Sequence, residues 1–209
     1  MSGKLIVFEG VEGCGKTTQM YLCSQWLRNL SISFSLTCEP GGTELGSYLR
    51  QLLLEKSEDK PISEITELLL YGADRAQHIE EELKPNLADG KYILCDRYTD
   101  STIAYQGYGR GLSISIINQL NYIATSGLES DLTIWLDIDV EVGLARKRGQ
   151  ATLDRIEQET IAFHHRVQQG YRELAATHPL RIFRVDGSLS KETVQQRIQE
   201  ILNTHLLNS

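Results

Sequence analysis

The sequence predicts an α/β protein in which five parallel strands form one sheet with helices on both faces. Short apolar segments alternate with helical segments along the whole chain, and the first apolar segment runs directly into a glycine-rich turn. Strands that alternate with helices form parallel sheets, because each connecting helix packs back against the sheet. The 209 residues, of which 41% are hydrophobic and 23% charged, suit one globular domain spanning residues 1–209.

Five segments have the composition of buried or half-buried strands. Each is short, rich in aliphatic, β-branched or aromatic residues, and bounded by polar residues or glycine. They are Lys4–Phe8, Ile32–Cys38, Tyr92–Cys95, Leu132–Ile138 and Ile182–Val185.

Between these strands apolar residues recur at helical spacing, and several helical segments begin at a residue that favours the N-cap position. Thr43, Ser63 and Ser190 are the predicted caps. The predicted helices are Thr17–Leu30, Thr43–Leu54, Ser63–Ala88, Ser113–Ala124, Val140–Arg148, Leu153–Thr177 and Ser190–Leu206.

The turn after the first strand carries a phosphate-binding motif. Residues 10–17 read Gly-Val-Glu-Gly-Cys-Gly-Lys-Thr and fit the pattern G-x-x-x-x-G-K-[ST]. In such a loop backbone N–H groups surround phosphate oxygens, and the following helix adds the positive end of its dipole. We expect Lys16 to reach the β- and γ-phosphates and the Thr17 hydroxyl to ligate Mg²⁺. The predicted nucleotide-binding residues are Gly10, Val11, Glu12, Gly13, Cys14, Gly15, Lys16, Thr17 and Thr18.

Charged residues also follow other predicted strands, whose carboxyl ends meet at one edge of a parallel sheet. After the third strand, Asp96 could hold the hydrated Mg²⁺ or accept a proton, and Arg97 could bind a phosphate through two N–H groups. By themselves these two residues could equally be a structural ion pair. Next to a phosphate loop, the functional interpretation is favoured.

Further candidates for binding an anionic substrate are Arg50 and Arg75, although a single helical arginine is more often a solvated or paired group. Residues 101–111 mix hydroxyl side chains, tyrosines and glycines. This mixture suits a loop that stacks on a base, and nearly as well a surface turn whose tyrosines cover the edge of the core.

A basic cluster lies in the second half of a chain whose formal charge is −7. Arg146, Lys147 and Arg148 are consecutive, and Arg155 follows them closely. The cluster suits a lid, at about residues 141–156, that closes over phosphates. The alternative is a solvated helix end, where cations are favoured.

Composition excludes several other classes of function. The negative net charge argues against non-specific binding to nucleic acid or to an anionic membrane. The first apolar run ends at Glu9, which makes it too short for a membrane span or a secretory signal. The cysteines show no C-x-x-C spacing, so we expect free thiols in a reducing cytoplasm. They are Cys14, Cys23, Cys38 and Cys95.

Taken together, these motifs resemble those of the thymidylate kinase family, in its bacterial form, over nearly the whole chain. The matching segments are Phe8–Thr18, Glu39–Thr43, Asp96–Tyr98 with Ser101, Ala104, Tyr105 and Gln106, then Gly109–Gly111, Leu136–Asp137 and Leu153–Glu157. The resemblance implies a P-loop nucleoside monophosphate kinase fold with a mobile lid, and members that are usually homodimers. It implies transfer of the γ-phosphoryl group of ATP to dTMP with Mg²⁺, which gives dTDP and ADP.

The resemblance also implies individual roles. By position, Arg75 and Arg97 would hold the phosphate and base region of dTMP, and Tyr71 would stack on thymine. Thr102 would meet the base and Tyr105 would lie near C2′. Glu12 would lie near the 3′-hydroxyl.

Some family members carry an arginine inside the phosphate loop, but residues 11–14 of this chain supply none. The sequence therefore resembles the subtype whose lid provides the arginine, with Arg148 as the first candidate and Arg146 as the second. Together with Lys16, Arg97 and Glu12, Arg148 completes the set of expected catalytic residues. Cys14 departs from the family, where alanine is commoner, and would be sensitive to thiol reagents if exposed.

Two alternatives remain open at this point. The chain could be a kinase of the same fold that acts on another nucleotide or on a nucleoside. It could also be a non-catalytic P-loop switch that binds nucleotide, although the base-reading N-K-x-D motif of G proteins is absent and the basic cluster favours transfer.

Overall fold

A parallel sheet of five strands runs through the described part of the chain, as the sequence predicts. The structure is a computed structural model that describes residues 3–55, 61–148 and 154–207, with all their side chains except those of Arg148 and Leu207. The strands are β1 (Lys4–Glu9), β2 (Phe34–Cys38), β3 (Tyr92–Asp96), β4 (Leu132–Asp137) and β5 (Ile182–Asp186). Their order in the sheet is β2-β3-β1-β4-β5, so the strand that leads into the phosphate loop is central.

Nine α-helices lie in the described ranges, and none of them is long and apolar enough to cross a membrane. They are α1 (Lys16–Asn29), α2 (Glu44–Leu54), α3 (Glu64–His78), α4 (Lys84–Ala88), α5 (Thr99–Thr102), α6 (Ile114–Thr125), α7 (Val140–Arg148), α8 (Ile161–Thr177) and α9 (Lys191–Leu202). The predicted caps are confirmed, since Thr43, Ser63 and Ser190 each accept a hydrogen bond from the backbone N–H three residues later.

Three predicted elements differ from the structure. The helix predicted over Ser63–Ala88 is divided into α3 and α4 by the π-helical turn Ile79–Leu83. Residues 101–111, predicted as a loop, are largely helical, because they include part of α5 and the π-helical segment Ile103–Gly109. The helix predicted from Leu153, which lies outside the described residues, begins instead at Ile161. The Thr160 side chain caps α8 there by accepting from the N–H of Phe163.

Both faces of the central strand are buried, which explains why β1 is apolar at successive positions rather than at alternate ones. Leu5 and Val7 pack with the π-helical turn after α3, whereas Ile6 and Phe8 pack with α1 and α8 on the opposite face. All four side chains are fully buried. The sheet therefore forms a rigid layer that fixes the positions of the loops at its carboxyl edge.

Replacement of a central side chain should test this arrangement. Leu94 lies in the middle of β3 and is fully buried, so Leu94→Ala should lower the free energy of unfolding by about 2–5 kcal/mol through lost burial and a residual cavity. Leu180→Ala is the matched control, because Leu180 is 89% exposed, and it should change stability by less than about 0.5 kcal/mol. Urea denaturation measures both, and equal effects would contradict the assigned core.

Candidate active site

A cleft of about 740 Å³ opens at the carboxyl edge of the sheet, where β1, β2 and β3 end. Most of the predicted site residues line it: Glu12, Gly13, Cys14, Gly15, Lys16, Thr17, Thr18, Arg50, Tyr71, Arg75, Asp96, Arg97, Thr102 and Tyr105. Gly10 and Val11 do not line the cleft; Gly10 packs against the backbone of Leu136. The side chain of Arg148 lies outside the described residues.

The phosphate loop connects β1 to α1 and depends on glycine at two positions. Gly15 has a φ of +98° at the N-cap of α1, with open space where a Cβ would stand. Gly13 has a φ of +71°, and a Cβ there would lie 2.0 Å from the carbonyl oxygen of Gly143 in α7. The loop therefore packs closely against α7 while its backbone stays open to the cleft.

Lys16 begins α1, and its side chain is only 8% exposed. Its Nζ lies 3.4 Å from the carbonyl oxygen of Gly10 and 3.9 Å from Oδ1 of Asp96. The ammonium group thus lies between the loop and the end of β3. This location gives the cleft a fixed positive charge beside the free N–H groups of a helix N-terminus.

Asp96 and Thr17, the two predicted metal ligands, both face this part of the cleft. Oδ1 of Asp96 is buried and accepts no hydrogen bond in the described structure. Such an oxygen next to a phosphate loop suits a Mg²⁺ ion, which prefers oxygen ligands and keeps much of its water and phosphate shell. Within the described ranges, no group of three or more His, Cys, Asp or Glu residues could hold a metal without a nucleotide.

Arg97 follows β3 and has a φ of +72°, a left-handed conformation that is unusual for a non-glycine residue. Its backbone N–H donates to the carbonyl oxygen of Phe8 in β1, at 3.0 Å. Its guanidinium lies 4.7 Å from the ring centre of Tyr105 and donates to that hydroxyl at 2.9 Å. It also pairs with the carboxylate of Glu12. A strained backbone held by so many contacts is typical of functional sites.

The Glu12 carboxylate does not face the phosphate-binding backbone of its own loop. It accepts from Arg97 and, at 3.1 Å, from the hydroxyl of Tyr105. Burial raises the pKa of Glu12, but Arg97, Lys16 and Lys147 outweigh that effect and bring the pKa to about 2. Glu12 is therefore a stable anion that partly balances the cations of the cleft.

Arg75 is 2% exposed, and most of its guanidinium N–H groups donate hydrogen bonds within the protein. Nε donates to Glu39 at 2.7 Å, Nη1 donates to Thr102 at 2.9 Å and to Asn121 at 2.7 Å, and Nη2 donates to the carbonyl oxygen of Tyr98 at 2.9 Å. One N–H group on Nη2 remains without an acceptor among the described residues. Arg75 can thus donate one further hydrogen bond to a ligand.

Arg50 and Tyr71 also line the cleft. Nη1 of Arg50 donates to the carbonyl oxygen of Pro40 at 2.7 Å, and the rest of its guanidinium meets no acceptor in the described ranges. Tyr71 is half-buried on α3, and burial raises the pKa of its hydroxyl, so the ring presents a neutral face.

The predicted basic cluster is divided in the structure. Arg146 and Lys147 line the cleft, and Nη1 of Arg146 lies 3.5 Å from the carbonyl oxygen of Gly13. Arg155 does not join them, because its guanidinium donates to the buried carboxylate of Glu67 at 2.5 Å and to the carbonyl oxygen of Leu53 at 2.8 Å. The lid predicted at about 141–156 includes residues 149–153, which lie outside the described residues.

The condition for a thiol-sensitive Cys14, an exposed sulfur, is not met. Its side chain is 4% exposed, and burial raises the pKa of the thiol, which disfavours the reactive thiolate.

Sequence reasoning did not assign a role to a set of residues that support the site. Glu9, Ser101, Asn121 and Tyr171 are buried and bond directly to Arg75, Arg97 or each other. Glu9 gave a signal as an acid at the end of an apolar strand, and Ser101 as a hydroxyl in residues 101–111, but Asn121 and Tyr171 gave none.

A phosphate loop that faces the partly buried Arg97 across one cleft, at the edge of this five-stranded sheet, defines a phosphotransferase of the P-loop nucleoside monophosphate kinase class. The comparison with known families is more specific. The family model "Thymidylate kinase" matches residues 8–198, and the chain belongs to the thymidylate kinase family.

Individual relatives agree with this assignment over their full length. The chain is 80% identical over 207 residues to the thymidylate kinase of Nostoc punctiforme, and the match covers 99% of this chain and 98% of that protein. It is 56% identical over 221 residues to the thymidylate kinase of Trichodesmium erythraeum, with coverage of 99% and 98%. The crystal structure of thymidylate kinase from Ehrlichia chaffeensis is similar with a TM-score of 0.79 at 31% identity, covering 97% of this chain and 100% of that one.

The charge on Glu12 should contribute to stability only above acidic pH. Because the folded pKa of about 2 lies below the ordinary value of 4.5, the ionised carboxylate stabilises the fold at pH 4.5 and above, and this contribution is lost as the pH falls towards 2. Urea denaturation between about pH 2 and 6 should therefore show that the free energy of unfolding rises less with pH in Glu12→Gln than in the wild type. The difference in this rise should reach up to about 3 kcal/mol. Glu64→Gln, which removes an exposed carboxylate, is the control. Superimposable pH profiles for Glu12→Gln and wild type would contradict the assigned pairing with Arg97.

Proposed function

We propose that the chain transfers the γ-phosphoryl group of ATP to dTMP and produces dTDP and ADP. The observation that carries this proposal is that one cleft joins the phosphate loop with Lys16 to the arginine-rich wall around Arg97. Two phosphate-bearing substrates can therefore meet there. Membership of the thymidylate kinase family supports dTMP as the acceptor.

The phosphate of dTMP is itself the nucleophile and is ionised at neutral pH, so the reaction needs no strong base. Its obstacle is the repulsion between two polyanions, and catalysis consists of positioning and charge neutralisation. In our proposal Lys16 binds the β- and γ-phosphates of ATP, while Arg97 and Arg50 bind the phosphate of dTMP. Glu12, which prefers to stay ionised, keeps Arg97 oriented and lies near the 3′-hydroxyl.

Thr17 and Asp96 would hold Mg²⁺, which would supply positive charge to offset the charge on the phosphates. The buried, unbonded Oδ1 of Asp96 supports this assignment. On the acceptor side, Tyr71 stacks on thymine, while Thr102 and the one free N–H of Arg75 contact the edge of the base. The ring of Tyr105, held beside Arg97, occupies the space at C2′ and disfavours a ribose hydroxyl.

Residues 141–156 form a lid in this proposal, and the rest of residues 1–209 form one domain with it. Arg148 is the proposed lid arginine, with Arg146 as second candidate because it already lines the cleft. Arg148→Ala should lower kcat more than it raises KM for ATP. An unchanged rate would transfer the role to Arg146.

We also propose that the enzyme is a cytoplasmic homodimer. Exposed apolar side chains lie on α2, α3 and α6, and α3 packs between the other two helices. They are Leu45, Tyr48, Leu52, Ile65, Leu69, Ile116 and Ile123. Several exposed apolar side chains on three helices packed together suit a subunit interface. Analytical ultracentrifugation at micromolar concentration tests it, and a monomer there would contradict it.

The proposed reaction is tested by ADP release from Mg²⁺-ATP with one acceptor at a time. We expect strong release with dTMP, weak release with dUMP, and none with thymidine, AMP, CMP, GMP or UMP. Release with thymidine would indicate a nucleoside kinase of the same fold. ATP binding without release in any mixture would indicate a non-catalytic nucleotide-binding protein.

Loss of the loop lysine should be severe. Lys16→Ala removes a fixed charge from the transferred phosphates, and kcat/KM should fall about 100- to 1,000-fold, or roughly 3–4 kcal/mol, as for other preorganised donors. Lys84→Ala removes an exposed lysine paired with Glu80 and serves as the control. Near-normal turnover of Lys16→Ala would rule out the assigned phosphate loop.

A further inference from the structure

Beneath Arg97 lies a buried cluster that the proposed reaction does not use directly. Glu9, at the end of β1, is fully buried, and Tyr171 in α8 is 1% exposed. Ser101 in α5 lies between them and is 9% exposed. We call Glu9, Ser101 and Tyr171 the Glu9 cluster. The Glu9 carboxylate does not bond directly to Arg97, because the distance between Nη1 of Arg97 and Oε2 of Glu9, 4.0 Å, is too long for a hydrogen bond.

The two oxygens of Glu9 have separate partners. Oε1 accepts from the backbone N–H groups of Tyr98, at 2.9 Å, and Ser101, at 3.1 Å, and so fixes the start of α5. Oε2 accepts from the hydroxyl of Ser101 at 2.6 Å and from the hydroxyl of Tyr171 at 2.7 Å. Every contact of the carboxylate is therefore with a donor, as an ionised carboxylate requires.

The position of each proton follows from these contacts. A hydroxyl has one proton and two lone pairs, and both hydroxyls give their single proton to Oε2. The 3.0 Å contact between the two hydroxyls thus carries no proton, and both present lone pairs to Arg97. Nη1 of Arg97 donates to both, at 3.2 Å each, which uses its two N–H groups. With Glu9 ionised, both hydroxyls are therefore acceptors towards Arg97. Burial raises the pKa of this carboxyl group, whereas Arg97 and the hydroxyls of Ser101 and Tyr171 act in the opposite direction.

We propose that Glu9 is a positioning residue for the acceptor phosphate, acting through the hydroxyls of Ser101 and Tyr171 to fix Nη1 of Arg97. This inference rests on the proposed function, in which Arg97 binds the phosphate of dTMP. With both N–H groups of Nη1 held from the interior and those of Nη2 donating to Glu12 and Tyr105, only the Nε N–H has no acceptor among the described residues. The cluster holds the guanidinium in one orientation without placing a second full charge against it.

Removal of one hydroxyl tests the inference. Tyr171→Phe deletes an acceptor of Arg97 and should weaken dTMP binding about 10-fold or more, the usual effect of losing a hydrogen bond to a charged group. Thymidine binding, which lacks the phosphate, should change less than twofold. Tyr108→Phe is a matched control, because it removes a tyrosine–glutamate hydrogen bond of the same 2.7 Å length, to Glu173, on the outer side of the segment Ile103–Gly109.

Two further variants guard against a simple folding defect. Ser101→Ala removes the other acceptor with a smaller change of volume and should show the same selective loss for dTMP. Glu9→Gln keeps the shape but places an amide donor where a carboxylate oxygen accepts, so one hydroxyl must turn its proton towards Arg97. It should therefore weaken dTMP binding more than Tyr171→Phe does. Cooperative thermal unfolding establishes that each variant is folded at the titration temperature.

A double-mutant cycle separates positioning of Arg97 from a general structural role. The Arg97→Lys variant lacks the guanidinium whose Nη1 donates to the two hydroxyls. In that variant Tyr171→Phe should therefore cause no further loss of dTMP affinity. Calorimetric titration with dTMP and with thymidine provides both affinities. Additive effects of the two substitutions, or equal weakening of both ligands, would overturn the proposal. Failure of the wild-type protein to prefer dTMP over thymidine would instead overturn the proposed function.

Discussion

The site depends on one partly buried cation, Arg97, held between two carboxylates at the end of β3. Glu9 lies behind it in the core and Glu12 lies beside it in the phosphate loop. These charges and several hydroxyls offset the cost of taking the guanidinium largely out of water. The left-handed backbone of Arg97 is held by its own N–H group, which donates to the carbonyl oxygen of Phe8. The two carboxylates come from β1 and its following turn, so one central strand organises both the phosphate loop and the facing wall.

This arrangement explains how a chain with a negative net charge can bring two polyanions together. The local cations Lys16, Arg97 and Arg146 all face one cleft, whereas Arg75 is bonded to Glu39, Thr102 and Asn121 and serves mainly to shape the wall. Charge neutralisation is therefore concentrated at the carboxyl edge of the sheet, where rigid strands fix its geometry. The expected result is transfer between bound substrates with little covalent participation by the protein.

The strands, most helices and most cleft-lining residues could be predicted, because they rest on local patterns: hydrophobic periodicity, capping residues and the glycine-rich motif. Interactions distant in sequence could not. Arg155 was grouped with Arg146 by proximity along the chain, yet it pairs with Glu67, 88 residues away. The contact of Tyr171 with Glu9, which joins residues 162 positions apart, has no local signal either. The tyrosines and glycines of residues 101–111 suggested a loop, but tertiary packing against α8 makes most of this segment helical.

The central claim is that both phosphates meet in this one cleft and that the phosphoryl group passes directly from ATP to dTMP. The stereochemical course at phosphorus tests it most directly, with ATP whose γ-phosphorus is made chiral by oxygen isotopes. A single in-line displacement predicts inversion of configuration in the dTDP formed. Retention would show two successive displacements through a phosphorylated residue of the protein, and would contradict direct transfer between substrates held by Lys16 and Arg97.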